Sequence, residues 1–93
     1  MIPKHHGAKL ADIPDDYLSE LLPVAAKIAR ATGATDYNIL QNNGRIAHQM
    51  VDHVHVHVIP KPSEEEGLVV GWPQKNGNKE KLQELLEELR SKL

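Results

Sequence analysis

Apolar positions along the chain fall into two helical stripes and one strict alternation. From position 14 onward, Leu18, Leu21, Leu22, Ala25, Ile28 and Ala29 recur at three- and four-residue steps and mark one face of a helix. Pro14 suits a first helical position, Asp15 and Asp16 complement the positive end of the helix dipole, and Gly33 is a natural stop. These signals predict a helix over residues 14–32. Pro23 lies inside it, but the periodicity continues beyond, so the proline is expected to bend the helix rather than end it. Near the other end, Leu82, Leu85, Leu86, Leu89 and Leu93 share a second helical face, with Glu and Lys on the opposite side. That pattern predicts a packing helix with a solvated charged surface.

Between the helices the period changes to two. Residues 37–41 have strand character, Asn42-Asn43-Gly44 is turn chemistry, and residues 45–52 read as a loop. A second strand is predicted over residues 53–59, where His and Val alternate until Pro60 and Pro62 stop it. Ile2-Pro3-Lys4-His5-His6 looks like the last residues of a further strand. Residues 61–78 read as a long surface segment, with an apolar stretch, residues 68–73, able to pack on something. There is no internal repeat. The expected architecture is a single α+β domain over residues 1–93, an antiparallel sheet with a long helix packed on it and a C-terminal helix.

Composition narrows the picture. The 93 residues include no Phe, one Trp (Trp72) and two Tyr, so core material is limited and help from an oligomeric partner is expected. The absence of Cys removes disulfides, cysteine-type zinc sites and thiol catalysis. A net charge of −2 leaves no broad basic footprint for nucleic acid or an anionic membrane. No apolar run is long enough to span a bilayer, and no basic-then-apolar leader is seen, so the chain reads as soluble and cytoplasmic, with the nucleus as a second location.

The chemistry is concentrated in the alternating strand. On a strand, residues i, i+2 and i+4 point to one face, so His53, His55 and His57 share one side while Val54, Val56 and Val58 share the other. Strand propensity alone does not ask for three histidines in a row. Three readings compete: a solvated polar face, a zinc or copper site, and imidazole acid–base or nucleophilic chemistry. A row of imidazoles suits metal-free phosphoryl chemistry, since one neutral ring can attack phosphorus while a neighbouring imidazolium stabilises oxygens or a leaving group. Spacing does not choose between metal and nucleophile.

His53-Val54-His55-Val56-His57-Val58-Ile59 resembles the signature of the histidine triad family. The lead-in Leu40-Gln41-Asn42-Asn43-Gly44-Arg45-Ile46-Ala47-His48-Gln49 is similar to that family's turn and phosphate-facing loop, and Ile2-Pro3-Lys4-His5-His6 to its upstream strand end. The likeness is strongest to the nucleotide-binding, purine nucleoside phosphoramidase branch, with Gly71-Trp72-Pro73 of fungal type. The resemblance implies a hydrolase that cleaves the P–N bond of nucleoside 5′-phosphoramidates, AMP-amine or AMP-lysine, through a nucleotidyl-histidine. His55 would be the nucleophile, with its other ring nitrogen held by the His53 carbonyl, and His57 would bond phosphate or leaving group. On the substrate side it implies Asn42 at ribose or phosphate, Gln49 near the leaving group, and His6 as a supporting histidine behind the triad. It implies no cofactor, no metal and a homodimer.

Structural alternatives stand beside these roles. Asn42 can serve only its turn, Gln49 can be a solvated loop residue, His5 and His48 read as surface residues, and Trp72 as a core or interface anchor. Two departures from the family pattern stand out. Met50 occupies a position where many members have Ser or Thr, and a thioether cannot donate a hydrogen bond. The strands that precede Ile2 in the family, and wall the nucleoside pocket, have no counterpart here, so the chain looks like a domain shortened at its N-terminus. A shortened sheet exposes an edge that invites pairing. The alternative function is a non-catalytic nucleotide-binding or protein-interaction module with a vestigial triad.

Overall fold

The computed structural model describes residues 1–71 and 77–93. Helix α1 spans Asp15–Thr32, strand β1 Tyr37–Leu40, strand β2 His57–Pro60 and helix α2 Lys79–Lys92, with short 3-10 turns at Leu10–Asp12 and Arg45–Ala47. The α+β architecture is as expected: β1 and β2 pair antiparallel, Tyr37 opposite Pro60 and Leu40 opposite His57, and α1 packs against β2.

The boundaries of α1 follow from its ends. Pro14 is extended at the N-cap, Asp15 and Asp16 occupy the first turn, and Gly33 closes the helix at φ 73°, a left-handed conformation that costs a residue with a Cβ. The helix runs through Pro23 without interruption. Of its predicted apolar face, Ala25 and Ala29 are fully buried, at 2% exposure each, and Leu18 and Leu21 are half-buried. Leu22 and Ile28 are exposed instead, at 70% and 37%. Small alanines let the helix approach the sheet closely, but a two-stranded layer is too narrow to cover the whole stripe.

The predicted strand over residues 53–59 is corrected at its start. Its ladder with β1 begins only at His57, because β1 ends at Leu40 and the chain then enters the Asn42 turn. Residues 54–56 find other partners: Val56 exchanges both backbone bonds with Met1 at 2.8 Å, and Val54 N–H donates to Gly7 carbonyl at 2.9 Å. The stretch that resembles a strand end, residues 2–6, thus runs beside the histidine segment. Alternation survives the change of partner, with Val54 at 0% and Val56 at 7% exposure against partly or fully exposed His53, His55 and His57. With Ile13, Ala25 and Ala29 these valines make up the apolar core. Gly7 is in the same layer, and a Cβ there would lie 2.6 Å from the Ile13 side chain.

The second helix forms where its pattern predicts, capped by Asn78, whose side chain accepts from Glu80 and Lys81 N–H. Its packing role is corrected: no residue of α2 is buried, and Leu82, Leu85, Leu86 and Leu89 are 40–56% exposed. A radius of gyration of 16.4 Å exceeds the roughly 12 Å of a compact chain this long. The apolar stretch at residues 68–73 is described only to Gly71; Leu68 is half-buried and Val69 and Val70 are exposed. Trp72 and Pro73, with the anchoring role read for Trp72, lie outside the described residues. No described helix is long and apolar enough to cross a membrane.

Candidate functional site

The three histidines stand on the side of their segment opposite the buried valines. His55 Nδ1 lies 2.8 Å from the carbonyl oxygen of His53. A carbonyl only accepts, so Nδ1 carries a proton, and in the neutral ring the lone pair is on Nε2. The ring of His57 meets that of His55 edge-on, with centroids 5.0 Å apart and planes at 84°. His57 is exposed and His55 partly so, which leaves both open to an incoming group.

Behind them, His6 Nδ1 and His53 Nδ1 are 2.7 Å apart, so the two rings share one proton in a hydrogen bond. His53 Nε2 is buried and has no partner among the described residues. An unpartnered lone pair is less costly there than an unpartnered N–H, which places the shared proton on His53 Nδ1, donating to His6. His6 therefore supports His53, and His53 supports His55 through its carbonyl.

The lead-in loop is bonded inward. Asn42 is half-buried, and its amide donates to the His48 carbonyl at 3.5 Å; among the described residues none of its bonds reaches a triad histidine. His48 sits in the left-handed region at φ 68°, a position where histidine is tolerated. Gln49 is 2% exposed: Gly44 N–H donates to its Oε1 at 2.6 Å, and its Nε2 donates to the Ala8 carbonyl at 2.5 Å. Met50 is 72% exposed beside it. His5 stacks at a tilt on Tyr17, centroids 5.2 Å apart, on the surface. Sequence reasoning missed Asn43, which accepts from Leu10 N–H at 2.7 Å and exchanges amide bonds with Gln41 at 2.8 and 2.9 Å. Its only signal was the turn itself, since its long-range partner, Leu10, comes from another segment.

Among the described residues no group of three His, Asp or Glu is arranged to hold a metal ion. Two open clefts lie away from the triad: one of about 600 Å³ between residues 35–38 and 61–64, and an apolar one of about 270 Å³ between Ile2 and α1. The site is an imidazole row on an open face.

A histidine row on a strand end, one imidazole held by the preceding carbonyl, with a helix across the back of the sheet, defines a specific class of protein. Residues 1–64 match the HIT domain, and the chain belongs to the HIT domain family. Over its whole length it is 55% identical to adenosine 5′-monophosphoramidase HNT1 of Saccharomyces cerevisiae and 52% identical to adenosine 5′-monophosphoramidase hnt1 of Schizosaccharomyces pombe. It spans 59% of the first and 70% of the second. The crystal structure of the histidine triad nucleotide-binding protein from Candida albicans superposes with a TM-score of 0.88 at 54% identity, covering 98% of this chain and 69% of that one.

Proposed function

We propose that this chain carries the catalytic centre of a nucleoside 5′-phosphoramidate hydrolase acting on the P–N bond of an adenosine 5′-monophosphate amide. The observation that carries the reading is the His55–His53 carbonyl bond, which fixes the tautomer of the neutral ring so that Nε2 is the nucleophilic nitrogen. The names of the fungal relatives support the substrate class. In the first step the Nε2 lone pair attacks the α-phosphorus, the P–N bond breaks, and the amine leaves with a proton supplied by His57, whose ring meets that of His55 edge-on. In the second, water gives a proton to His57 and attacks the phosphorus of the nucleotidyl-histidine, releasing the nucleoside monophosphate and restoring both histidines. Asn42 acts at the ribose or phosphate and His6 behind the triad. The chemistry uses imidazole alone, with no metal or cofactor. The working form is a homodimer in the cytoplasm, with the nucleus as a second location.

The test is hydrolysis of a fluorogenic adenosine phosphoramidate with EDTA present, on this chain and on His55→Ala. Turnover that survives EDTA and drops on the order of 10⁴-fold or more in the variant is the expected result. Turnover that EDTA abolishes, or that the variant retains, would overturn it. One observation favours a second reading, a nucleotide-binding or interaction module with a vestigial triad: the triad stands on an open face, and neither of the two clefts described above is lined by it. A folded chain that binds AMP but releases no amine would select that reading.

A further inference from the structure

Among the described residues the most deeply buried polar side chain is Gln49, and the chemistry above makes no use of it. At 2% exposure its carboxamide is out of water, yet neither end lacks a partner. Gly44 N–H can only donate and the Ala8 carbonyl can only accept, so the orientation of the amide is settled: Oε1 toward Gly44, Nε2 toward Ala8. The backbone closes the link, since Gln49 N–H also donates to the Gly44 carbonyl at 3.0 Å. Both polar groups of Gly44 are thus held by Gln49, and the turn that begins at Asn42 is tied to the segment over residues 7–8.

That segment bears on the nucleophile. Gly7, the neighbour of Ala8, accepts from Val54 N–H at 2.9 Å. The peptide group joining His53 to Val54 contains both that N–H and the carbonyl that holds His55 Nδ1 at 2.8 Å. One rigid plane is therefore anchored to Gly7 on one edge and sets the His55 tautomer on the other. We infer that Gln49 is a positioning residue: its buried carboxamide clamps Gly44 to Ala8 and, through the Gly7–Val54 bond, fixes the carbonyl that orients His55. It acts through other groups rather than on substrate, because its carboxamide is buried and both polar atoms are already bonded within the protein.

A protonated carboxylic acid has the same shape and offers one donor and one acceptor, so Gln49→Glu reproduces the clamp when protonated. When ionised it sets a second acceptor against the Ala8 carbonyl and breaks it. Charged groups of both signs border the clamp: Lys9, whose Nζ lies 3.9 Å from where a Gly44 side chain would start and whose backbone N–H donates to Asp12 at 3.0 Å, and Arg45 in the turn that follows, paired with Asp52 at 3.4 Å. The two cations favour the ionised form while the two carboxylates and burial oppose it, so the midpoint is read from the Gly44 amide. Gln49→Leu removes both bonds at every pH.

The activity arms of the experiment rest on the proposed phosphoramidate hydrolysis; the spectroscopic arm does not. Rates for Q49E and Q49L are taken as ratios to wild type at each pH, while the Gly44 amide and the His55 ring nitrogens are followed by NMR. We expect Q49L to lose about 10–100-fold in kcat with KM little changed, and the loss not to vary with pH. Q49E should approach wild type as pH falls, along the same midpoint at which its Gly44 amide shifts. A folded Q49L with wild-type kcat, a loss confined to KM, or a Q49E ratio that ignores the Gly44 titration would overturn the proposal. If wild type itself shows no turnover, the hydrolase reading fails alone. The clamp then stands or falls on whether the Gly44 amide and His55 Nδ1 signals move in Q49L.

Discussion

The histidine segment and the C-terminal helix carry equally regular apolar patterns, but they end in opposite environments. Val54 and Val56 alternate with histidines and are at or below 7% exposure. The leucines of α2 repeat just as faithfully, and all are at least 40% exposed. The difference lies in long-range bonds. The histidine segment is tied at Met1, Gly7 and β1, so its apolar side is pressed against α1 and Ile13. Helix α2 is held by its own backbone, the Asn78 cap and a Glu88–Lys92 pair at 2.9 Å. An amphipathic stripe states that a face favours burial; it does not supply the surface that buries it.

Mutations can break that contrast. Val54→Ala should have the largest effect on stability, about 2 kcal/mol, as two methyl groups leave a fully packed site. Chemical denaturation would show it as a lower midpoint with unchanged slope. An intermediate effect is expected from Asn78→Ala, which removes the acceptor of two first-turn N–H groups and costs about 1 kcal/mol of local helix stability. It should appear as lost helical circular dichroism and faster amide exchange in residues 79–92, with the global midpoint unmoved. Coupling of that loss to the global transition would show that α2 is part of the cooperative core. Smallest of all, Leu86→Ala should change global stability by less than about 0.5 kcal/mol, since the side chain has little to lose. A larger effect that grows with protein concentration would mean that the leucine face is buried between chains.

Elements with local causes were legible in the sequence to within a residue or two. The limits of α1 follow from Pro14, its acidic first turn and Gly33, and those of β1 from the turn after Gln41. The triad face was legible because a period of two needs no knowledge of partners. What was not legible depended on which segments meet. The first half of the predicted triad strand pairs with Met1 and Gly7 rather than with β1. Leu22 and Ile28 belong to the predicted stripe but extend beyond a two-stranded sheet.

The candidate site divides along the same line. That His53, His55 and His57 share a face, and that such a row suits phosphoryl chemistry, was determined by residue type and spacing alone. So was the resemblance to the histidine triad family. The tertiary structure decided which His55 nitrogen is free, by the position of the His53 carbonyl. It brought His6 to His53 across 47 positions of sequence, and it took Gln49 from a polar loop residue to a buried clamp. The physical reason is common to all three. Side-chain direction along a strand is local geometry, but a hydrogen bond needs two groups within about 3 Å, and only chain folding brings distant segments that close.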